Sequence, residues 1–145
     1  MSGTLGITSA GAVTDSGTLA ITGATTISAS GQDITLDEAA STFGTLSLTG
    51  ANVAITDAGA TDLGASTVSG TLGITSGGAV TDSGTLAITG ATTISASGQD
   101  ITLDEAASTF GTLSLTGANV AITDAGATDL GASTCLLYTS DAADE

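Results

Sequence analysis

A segment of 67 residues occurs twice in tandem, and this repetition limits the possible folds more than any other feature of the sequence. The segment begins at Ser2 and again at Ser69. The only change inside the copies is Ala10 to Gly77, and Met1 takes the place of Val68 at the join. Repetition at such a period is typical of solenoids and other arrays, in which equivalent residues have equivalent surroundings. We therefore divide the chain into repeat 1 (residues 1–67), repeat 2 (residues 68–134) and a tail (residues 135–145).

The tail, CLLYTSDAADE, does not continue the repeat. It contains the one cysteine of the chain, Cys135, and its one tyrosine. A DNA string that encodes these residues in frame resembles the adapter of a transposase-based sequencing kit. We therefore expect residues 135–145 to be a non-native, adapter-derived tail, and we exclude them from the prediction of the fold.

Within each copy, apolar and small polar residues alternate in short runs that Gly, Ser and Asp separate. In GTLAIT, for example, Leu19 and Ile21 point one way, whereas Thr18 and Ala20 point the other. This period of two predicts short β-strands joined by turns. Thr, Ser and Gly disfavour helix, so that only residues 36–41 (LDEAAS) could form a helical turn. The predicted fold class is all-β.

The spacing of the Thr-Leu pairs favours a solenoid over a sandwich or a barrel. The pairs that open predicted strands begin at Thr4, Thr18, Thr45 and Thr71, which predicts about three coils of ~22 residues in each repeat. Such a coil fits a three-sided β-solenoid, a parallel β-helix whose inward aliphatic side chains stack from coil to coil. The predicted inward residues of repeat 1 are Leu5, Ile7, Leu19, Ile21, Ile27, Ile34, Leu36, Leu46, Leu48, Val53 and Ile55. Neither end of the repeats has a polar segment that could cap the solenoid. We therefore expect open sheet edges and end-to-end self-association.

The charge of the chain limits its partners. It has no Lys, Arg or His and a formal net charge of −15. Binding to nucleic acid or to anionic lipid depends on basic side chains, so we exclude both kinds of partner. No apolar run approaches the ~18 residues of a membrane-spanning helix, and we expect no membrane insertion.

The acidic side chains are the only candidates for chemistry. In repeat 1 they are Asp15, Asp33, Asp37, Glu38, Asp57 and Asp62. Neighbouring acids such as Asp37 and Glu38 would face opposite sides of a strand, and the chain lacks histidine and any basic residue. We therefore expect no enzymatic activity, no catalytic residues and no cofactor. For calcium, the pair Asp57 and Asp62 is the best combination of acids, but no calcium-loop motif is present and we assign no metal ligand.

Three segments carry a resemblance to a known family. They are DITLD (residues 33–37), TFGTLSLTGANVAITDA (residues 42–58) and LGASTVSGTLGIT (residues 63–75). Across residues 1–134 the pattern resembles the repeats of filamentous haemagglutinin-like surface proteins, which Gram-negative bacteria secrete by a two-partner system.

This resemblance implies a right-handed β-helical shaft in a secreted adhesin of the bacterial outer surface. The shaft would act as a rigid spacer, and the host or neighbouring cell would be bound through parts of the parent protein outside this sequence. An alternative function is a surface-layer or biofilm-matrix repeat protein, with calcium as a candidate ligand.

Overall fold

The computed structural model describes residues 1–135, and residues 136–145, which hold all of the predicted tail except Cys135, lie outside the described residues. In the described range the chain forms seventeen β-strands and no helix, and therefore no helix that could cross a membrane. The strands are β1 (Leu5–Thr8), β2 (Val13–Thr14), β3 (Thr25–Ser28), β4 (Ile34–Leu36), β5 (Thr45–Gly50), β6 (Val53–Asp57), β7 (Thr61–Leu63), β8 (Ser66–Val68), β9 (Leu72–Ser76), β10 (Val80–Asp82), β11 (Leu86–Ile88), β12 (Thr92–Ser95), β13 (Ile101–Leu103), β14 (Thr112–Gly117), β15 (Val120–Ile122), β16 (Asp129–Leu130) and β17 (Thr134–Cys135).

The strands form two parallel sheets that the chain visits in turn. The nine-stranded sheet follows the path β1-β3-β5-β7-β10-β13-β15, with β8 and β11 beside it. The eight-stranded sheet follows β2-β4-β6-β9-β12-β14-β16, with β17 paired to β14. A narrower third side carries the parallel bridges Ala20–Thr42 and Ala87–Thr109. The all-β class and the β-solenoid fold are thus confirmed, while the right-handed sense stays a prediction.

Most coils are shorter than the ~22 residues that the Thr-Leu spacing predicts. Thr45 is aligned with Asp62 and Ala20 with Thr42, so coils contain between 17 and 22 residues. Each sheet path contains seven strands, which gives about seven coils in the described residues. One repeat therefore spans about three and a half coils, where the sequence pattern predicted about three.

The Thr-Leu spacing overestimated the length of the coil because one of the pairs lies on a different side of the solenoid from the others. Thr18 and Leu19 lead into the third side, at the bridge of Ala20. The residue that stacks directly on Leu5 is Thr25, which interrupts the leucines of that column. The alternation rule expects apolar side chains at inward positions. It therefore did not count the coil in which Thr25, with its hydroxyl group, takes the inward position.

Because a repeat does not contain a whole number of coils, its two copies lie on different sides of the coil. Strand β1 lies in the nine-stranded sheet, but its copy β9 lies in the eight-stranded sheet, and β2 and β10 show the reverse. Strand β8 crosses the boundary between the repeats at residues 67 and 68. The two repeats therefore form one continuous stack.

The core is a column of aliphatic side chains inside the coils. The predicted residues Ile21, Ile27, Ile34, Leu36, Leu46, Leu48, Val53 and Ile55 are buried, whereas Leu5, Ile7 and Leu19 in the first coil are half-buried and packed against them. The inward assignment is confirmed for all eleven. The predicted turn at residues 36–41 is a single turn in which the Ser41 amide donates to the Glu38 carbonyl at 3.0 Å. Another turn places Gly31 at φ 74°, where glycine is favoured because it lacks a Cβ atom.

Two buried threonine hydroxyls lack a hydrogen-bond partner, Thr25 Oγ1 and its copy Thr92 Oγ1. Thr92 is stacked between Leu72 and Leu113. Valine has nearly the same shape, so Thr92→Val should raise the free energy of unfolding by about 1–2 kcal/mol through removal of an unpaired hydroxyl from the core. Urea unfolding followed by circular dichroism measures the change. Thr93→Val, on the exposed face of the same strand, is the control, and a destabilised Thr92→Val chain would contradict the prediction.

Candidate functional site

The carboxylate of Asp15 joins one coil to the next. Its Oδ1 accepts a hydrogen bond from the Asp37 amide at 3.1 Å, and its Oδ2 accepts one from the Glu38 amide at 3.5 Å. Three acids that the sequence singled out therefore meet at one corner. The contact uses the side chain of only one of them, because Asp37 and Glu38 contribute backbone donors.

The copy of this corner in repeat 2 lies deeper in the stack. Asp82 accepts hydrogen bonds from the amides of Asp104 at 2.9 Å and Glu105 at 3.4 Å. Burial raises the pKa of Asp82 and outweighs the two amide donors, and the nearby Asp104 charge raises it further. The carboxylate serves as an acceptor that holds the next turn in place.

A second corner carries a ladder of polar side chains. Asp33 Oδ1 accepts hydrogen bonds from the Asn52 amide at 3.2 Å and from Asn52 Nδ2 at 3.0 Å. Asn52 Oδ1 in turn accepts from the Thr71 amide at 3.1 Å and from Thr71 Oγ1 at 3.2 Å. Three successive coils are thus linked by side chains along the axis.

Asp62 lies on the outer surface of the nine-stranded sheet. Its Oδ2 accepts hydrogen bonds from Thr45 Oγ1 at 2.8 Å and from Ser83 Oγ at 2.9 Å. The two hydroxyls belong to the preceding and the following coil. Asp62 therefore also connects neighbouring coils, and its copy Asp129 keeps the contact to Thr112 at 2.8 Å.

Asp57 differs from the other acids because it points into the stack and is only 1% exposed. Its Oδ1 accepts a hydrogen bond from the Gly59 amide at 2.9 Å, and its Oδ2 accepts one from Thr61 Oγ1 at 3.2 Å. Thr61 Oγ1 also lies 2.9 Å from Ser76 Oγ in the next coil. Burial raises the pKa of Asp57, and these hydrogen bonds reduce the rise without cancelling it.

The raised pKa of Asp57 makes its contribution to stability depend on pH. The folded chain holds the Asp57 proton more tightly than the unfolded chain, so ionisation of this group costs stability as the pH rises through the folded pKa. Asp57→Asn removes the charge and keeps an acceptor for the Gly59 amide. We expect the substituted chain to be more stable than the parent at pH 7, with the difference shrinking as the pH falls toward 4.

Urea unfolding at several pH values measures this difference. The matched control is Asp124→Asn, because Asp124 is the copy of Asp57 and accepts the same hydrogen bonds from Gly126 and Thr128 but is exposed. A stability difference between Asp57→Asn and the parent that does not change with pH would contradict the prediction.

The pair Asp57 and Asp62, which the sequence favoured for calcium, does not converge. Asp57 points inward and Asp62 lies on the outer surface. Within residues 1–135, no group of three or more His, Cys, Asp or Glu side chains is arranged to hold a metal ion. The carboxylates of Asp15, Asp33, Asp57 and Asp62 are engaged by amides or hydroxyls of their own or a neighbouring coil.

The first and the last coil of residues 1–135 each surround a cavity with a mainly apolar lining. The first coil surrounds a cavity of about 700 Å³ that is lined by Leu5, Ile7, Val13 and Leu19 among others. The last described coil surrounds a smaller cavity of about 330 Å³, where Leu130 is 65% exposed. Asp15, which forms one of the acidic corners, also lines the first cavity.

The acids of repeat 1 act as hydrogen-bond acceptors in the structure. Asp15, Asp33 and Asp62 join neighbouring coils, whereas Asp57 accepts from Gly59 and Thr61 of its own turn. The inward direction of Asp57 could have been read from the sequence, because it continues the alternation of Val53 and Ile55. The sequence analysis considered Asp57 only as a candidate for chemistry and, with Asp62, for calcium.

Comparison with known proteins places the chain in a family. A family profile described as repeats of unknown function, DUF5649, matches residues 1–49 and 50–117. No curated protein and no solved structure matches the chain. Since the profile covers most of the sequence, the chain belongs to the DUF5649 repeat family.

Proposed function

We propose that this chain is a segment of the shaft of a secreted bacterial adhesin, in which it acts as a rigid spacer at the cell surface. The observation that carries the proposal is the equivalence of the two repeats. Ile27 and its copy Ile94 are both buried in β-strands that are paired on both sides. Each added repeat therefore adds length and no new chemistry, roughly 17 Å for three and a half coils spaced ~4.8 Å apart.

The cross-coil hydrogen bonds support a load-bearing role. Side chains such as Asp62 and Asn52 each contact residues of the coil before and the coil after. A force along the axis would be shared between these contacts and the parallel main-chain bonds. Such a segment is suited to holding a binding module away from a membrane.

The charge of the chain supports an extracellular setting. Every formal charge is negative, and no basic residue is available to attract nucleic acid or anionic lipid. A uniformly acidic surface keeps long parallel stacks apart and soluble. The resemblance to haemagglutinin-like repeats adds the expectation of secretion and of a receptor bound elsewhere in the parent protein.

The proposal is tested in cells that carry the gene. Antibodies raised against the purified chain should label intact cells at their outer surface, with gold particles displaced from the membrane. Deletion of the gene should remove the label and reduce adherence to surfaces or to other cells. Labelling that appears only after the cells are permeabilised would overturn the proposal.

A further inference from the structure

The joint between the two repeats contains a cluster of buried polar side chains. Asp57 and Thr61 belong to repeat 1 and Ser76 belongs to repeat 2, and all three are buried. Asp57 and Ser76 are aligned where β6 pairs with β9. The cluster therefore combines groups of both repeats.

The oxygen atoms of this cluster form an unbroken row. Thr61 Oγ1 lies 3.2 Å from Asp57 Oδ2 and 2.9 Å from Ser76 Oγ. Ser76 Oγ in turn lies 3.0 Å from the carbonyl oxygen of Gly59 and 3.0 Å from that of Gly78. The row thus runs from the carboxyl group through two hydroxyls to the backbone, and each contact in it needs one proton to be a hydrogen bond.

The hydroxyl proton of Ser76 is used at the backbone end of the row. Its copy Ser9 donates to the Gly11 carbonyl at 2.8 Å and accepts from the Gly11 amide at 3.1 Å. Ser76 forms the same turn with Gly78, at 3.0 and 3.3 Å. The Thr61 hydroxyl then supplies the proton for its contact with Ser76. No hydroxyl proton is left for the contact with the carboxyl group.

We propose that Asp57 acts as a proton-controlled fastener of the joint: its protonated carboxyl group donates to Thr61 Oγ1 and completes the row, and loss of that proton loosens the contact between the repeats. In the protonated state, three protons serve the three contacts from Asp57 to Thr61, from Thr61 to Ser76 and from Ser76 to the backbone. On ionisation the carboxyl proton passes to solvent, and two protons remain for three contacts. Two oxygen lone pairs then face each other in a buried place, which costs stability.

No positive charge offsets the ionised state, because the chain has no Lys, Arg or His. The groups that meet the carboxyl group from β7, β9 and the residues before β5 are uncharged, namely Thr61, Ser76 and the Phe43 amide. The turn at residues 36–41 packs below through the bond from the Ala58 amide to the Ser41 carbonyl. This turn carries the acids Asp37 and Glu38, and Asp62 lies on the outer surface.

The direction of the pH effect follows from burial. Burial, and no neighbouring charge, raises the pKa of Asp57, and its hydrogen bonds lower the pKa by less. A group with a raised folded pKa contributes stability that is present at low pH and is lost as the pH rises through that pKa. The joint is therefore tightest below about pH 3.9, the ordinary pKa of aspartate, and loosens above the folded pKa.

Carboxyl-carbon NMR of the chain with labelled aspartate measures the protonation of this group. The resonance that is absent from the Asp57→Asn chain belongs to Asp57. Its titration midpoint should lie above the ordinary value of about 3.9. A midpoint at or below that value would overturn the proposal.

Amide hydrogen exchange at several pH values tests the joint itself. The Gly77 and Gly78 amides donate across the joint to carbonyl groups of repeat 1 at 2.8 Å. After correction for the intrinsic pH dependence of exchange, their protection should fall by the same factor by which folding raises the proton affinity of Asp57. The Ala51 amide, which donates to a carbonyl within repeat 1, should not follow this titration. Equal pH dependence at Gly77 and Ala51 would overturn the proposal.

Three variants separate the row of protons from burial alone. Asp57→Asn accepts from the Gly59 amide and donates to Thr61 through its amide nitrogen, so the joint should stay protected at every pH. Ser76→Ala frees the Thr61 proton for the ionised carboxylate and should move the midpoint to lower pH, whereas burial alone would leave the midpoint in place or raise it. Ser9→Ala, at the copy of this serine, should titrate as the parent. A midpoint that Ser76→Ala does not lower, or protection in Asp57→Asn that falls with rising pH, would overturn the proposal.

Discussion

Replacement of Ile94 by aspartate is expected to abolish the cooperative unfolding transition of repeat 2 at neutral pH. Ile94 is fully buried in β12, where it is stacked between Ile74 and Leu115. A carboxylate at this place loses its hydration and meets only aliphatic neighbours. The chain has no Lys, Arg or His that could compensate the charge. We expect a loss of about 3–5 kcal/mol, which is a large part of the stability of a domain of this size.

The neighbouring residue provides the control for this substitution. Thr93 is exposed on the outer face of the same strand, so Thr93→Asp adds the same charge without burying it. Thermal and urea unfolding followed by circular dichroism compare the two chains. The Ile94→Asp chain should regain structure on acidification, because a protonated carboxyl group is easier to bury. Equal stability of the two chains at pH 7 would show that the inward assignment of Ile94 is wrong.

The second large effect is expected from Gly77→Ala, which gives repeat 2 the residue that repeat 1 has at position 10. The Gly77 amide donates to the Asp57 carbonyl at 2.8 Å, and the Gly78 amide donates to the Gly59 carbonyl at 2.8 Å. These bonds hold the two coils close together. The added methyl group would overlap the carbonyl oxygen of Ala58, and neither backbone can move without loss of a hydrogen bond. We expect destabilisation by about 1–3 kcal/mol.

Gly73→Ala is the matched control for this change. It lies four residues earlier in the same region, and an added Cβ there would meet only the Val53 carbonyl oxygen at 3.8 Å, an ordinary contact. Gly73→Ala should be neutral or slightly stabilising, because alanine restricts the unfolded chain. Urea midpoints of the two chains measure the contrast. If both substitutions had the same effect, the close approach at Gly77 would not be the cause.

The fold class could be predicted from the sequence because two independent patterns agree. Alternation at period two places Ile27, Leu46 and Leu48 on one side of their strands, and the repeat requires the same surroundings twice. A stack of coils satisfies both conditions, and the buried side chains of β3 and β5 confirm it.

The number of coils could not be predicted, because it depends on which strands pair. Thr25 stands in a column with Leu5 and Leu46, and nothing in its chemistry identifies it as an inward residue. In the same way, β5 is long enough to pair with both β7 and β8, so one side of the solenoid divides in two. Register of this kind follows from the packing of the whole coil and not from a local pattern.

The acidic corners were only partly predicted. The positions of the acids could be identified, but their partners lie in other coils, such as the Asp33 contact with Asn52. Sequence reasoning considered these acids only as candidates for chemistry and for calcium. Their main role in the structure is to accept hydrogen bonds from neighbouring coils. The prediction of partners across coils would have required the coil length.

The exchange of sheets between the two copies has a consequence for anything that binds the flank of the molecule. A partner that lies along one flank meets the side chains of β5 in one repeat and those of a different strand in the next, because β14, the copy of β5, lies in the other sheet. Ala20 of the third side likewise has its copy Ala87 in β11, which stacks through β8 on β5, so each copy lies one side further around the three-sided coil. The same surface motif would face the same direction only after three repeats, roughly 50 Å at ~4.8 Å per coil. A long array would thus display each motif on its three sides in turn, and a bivalent partner would need arms that match this spacing.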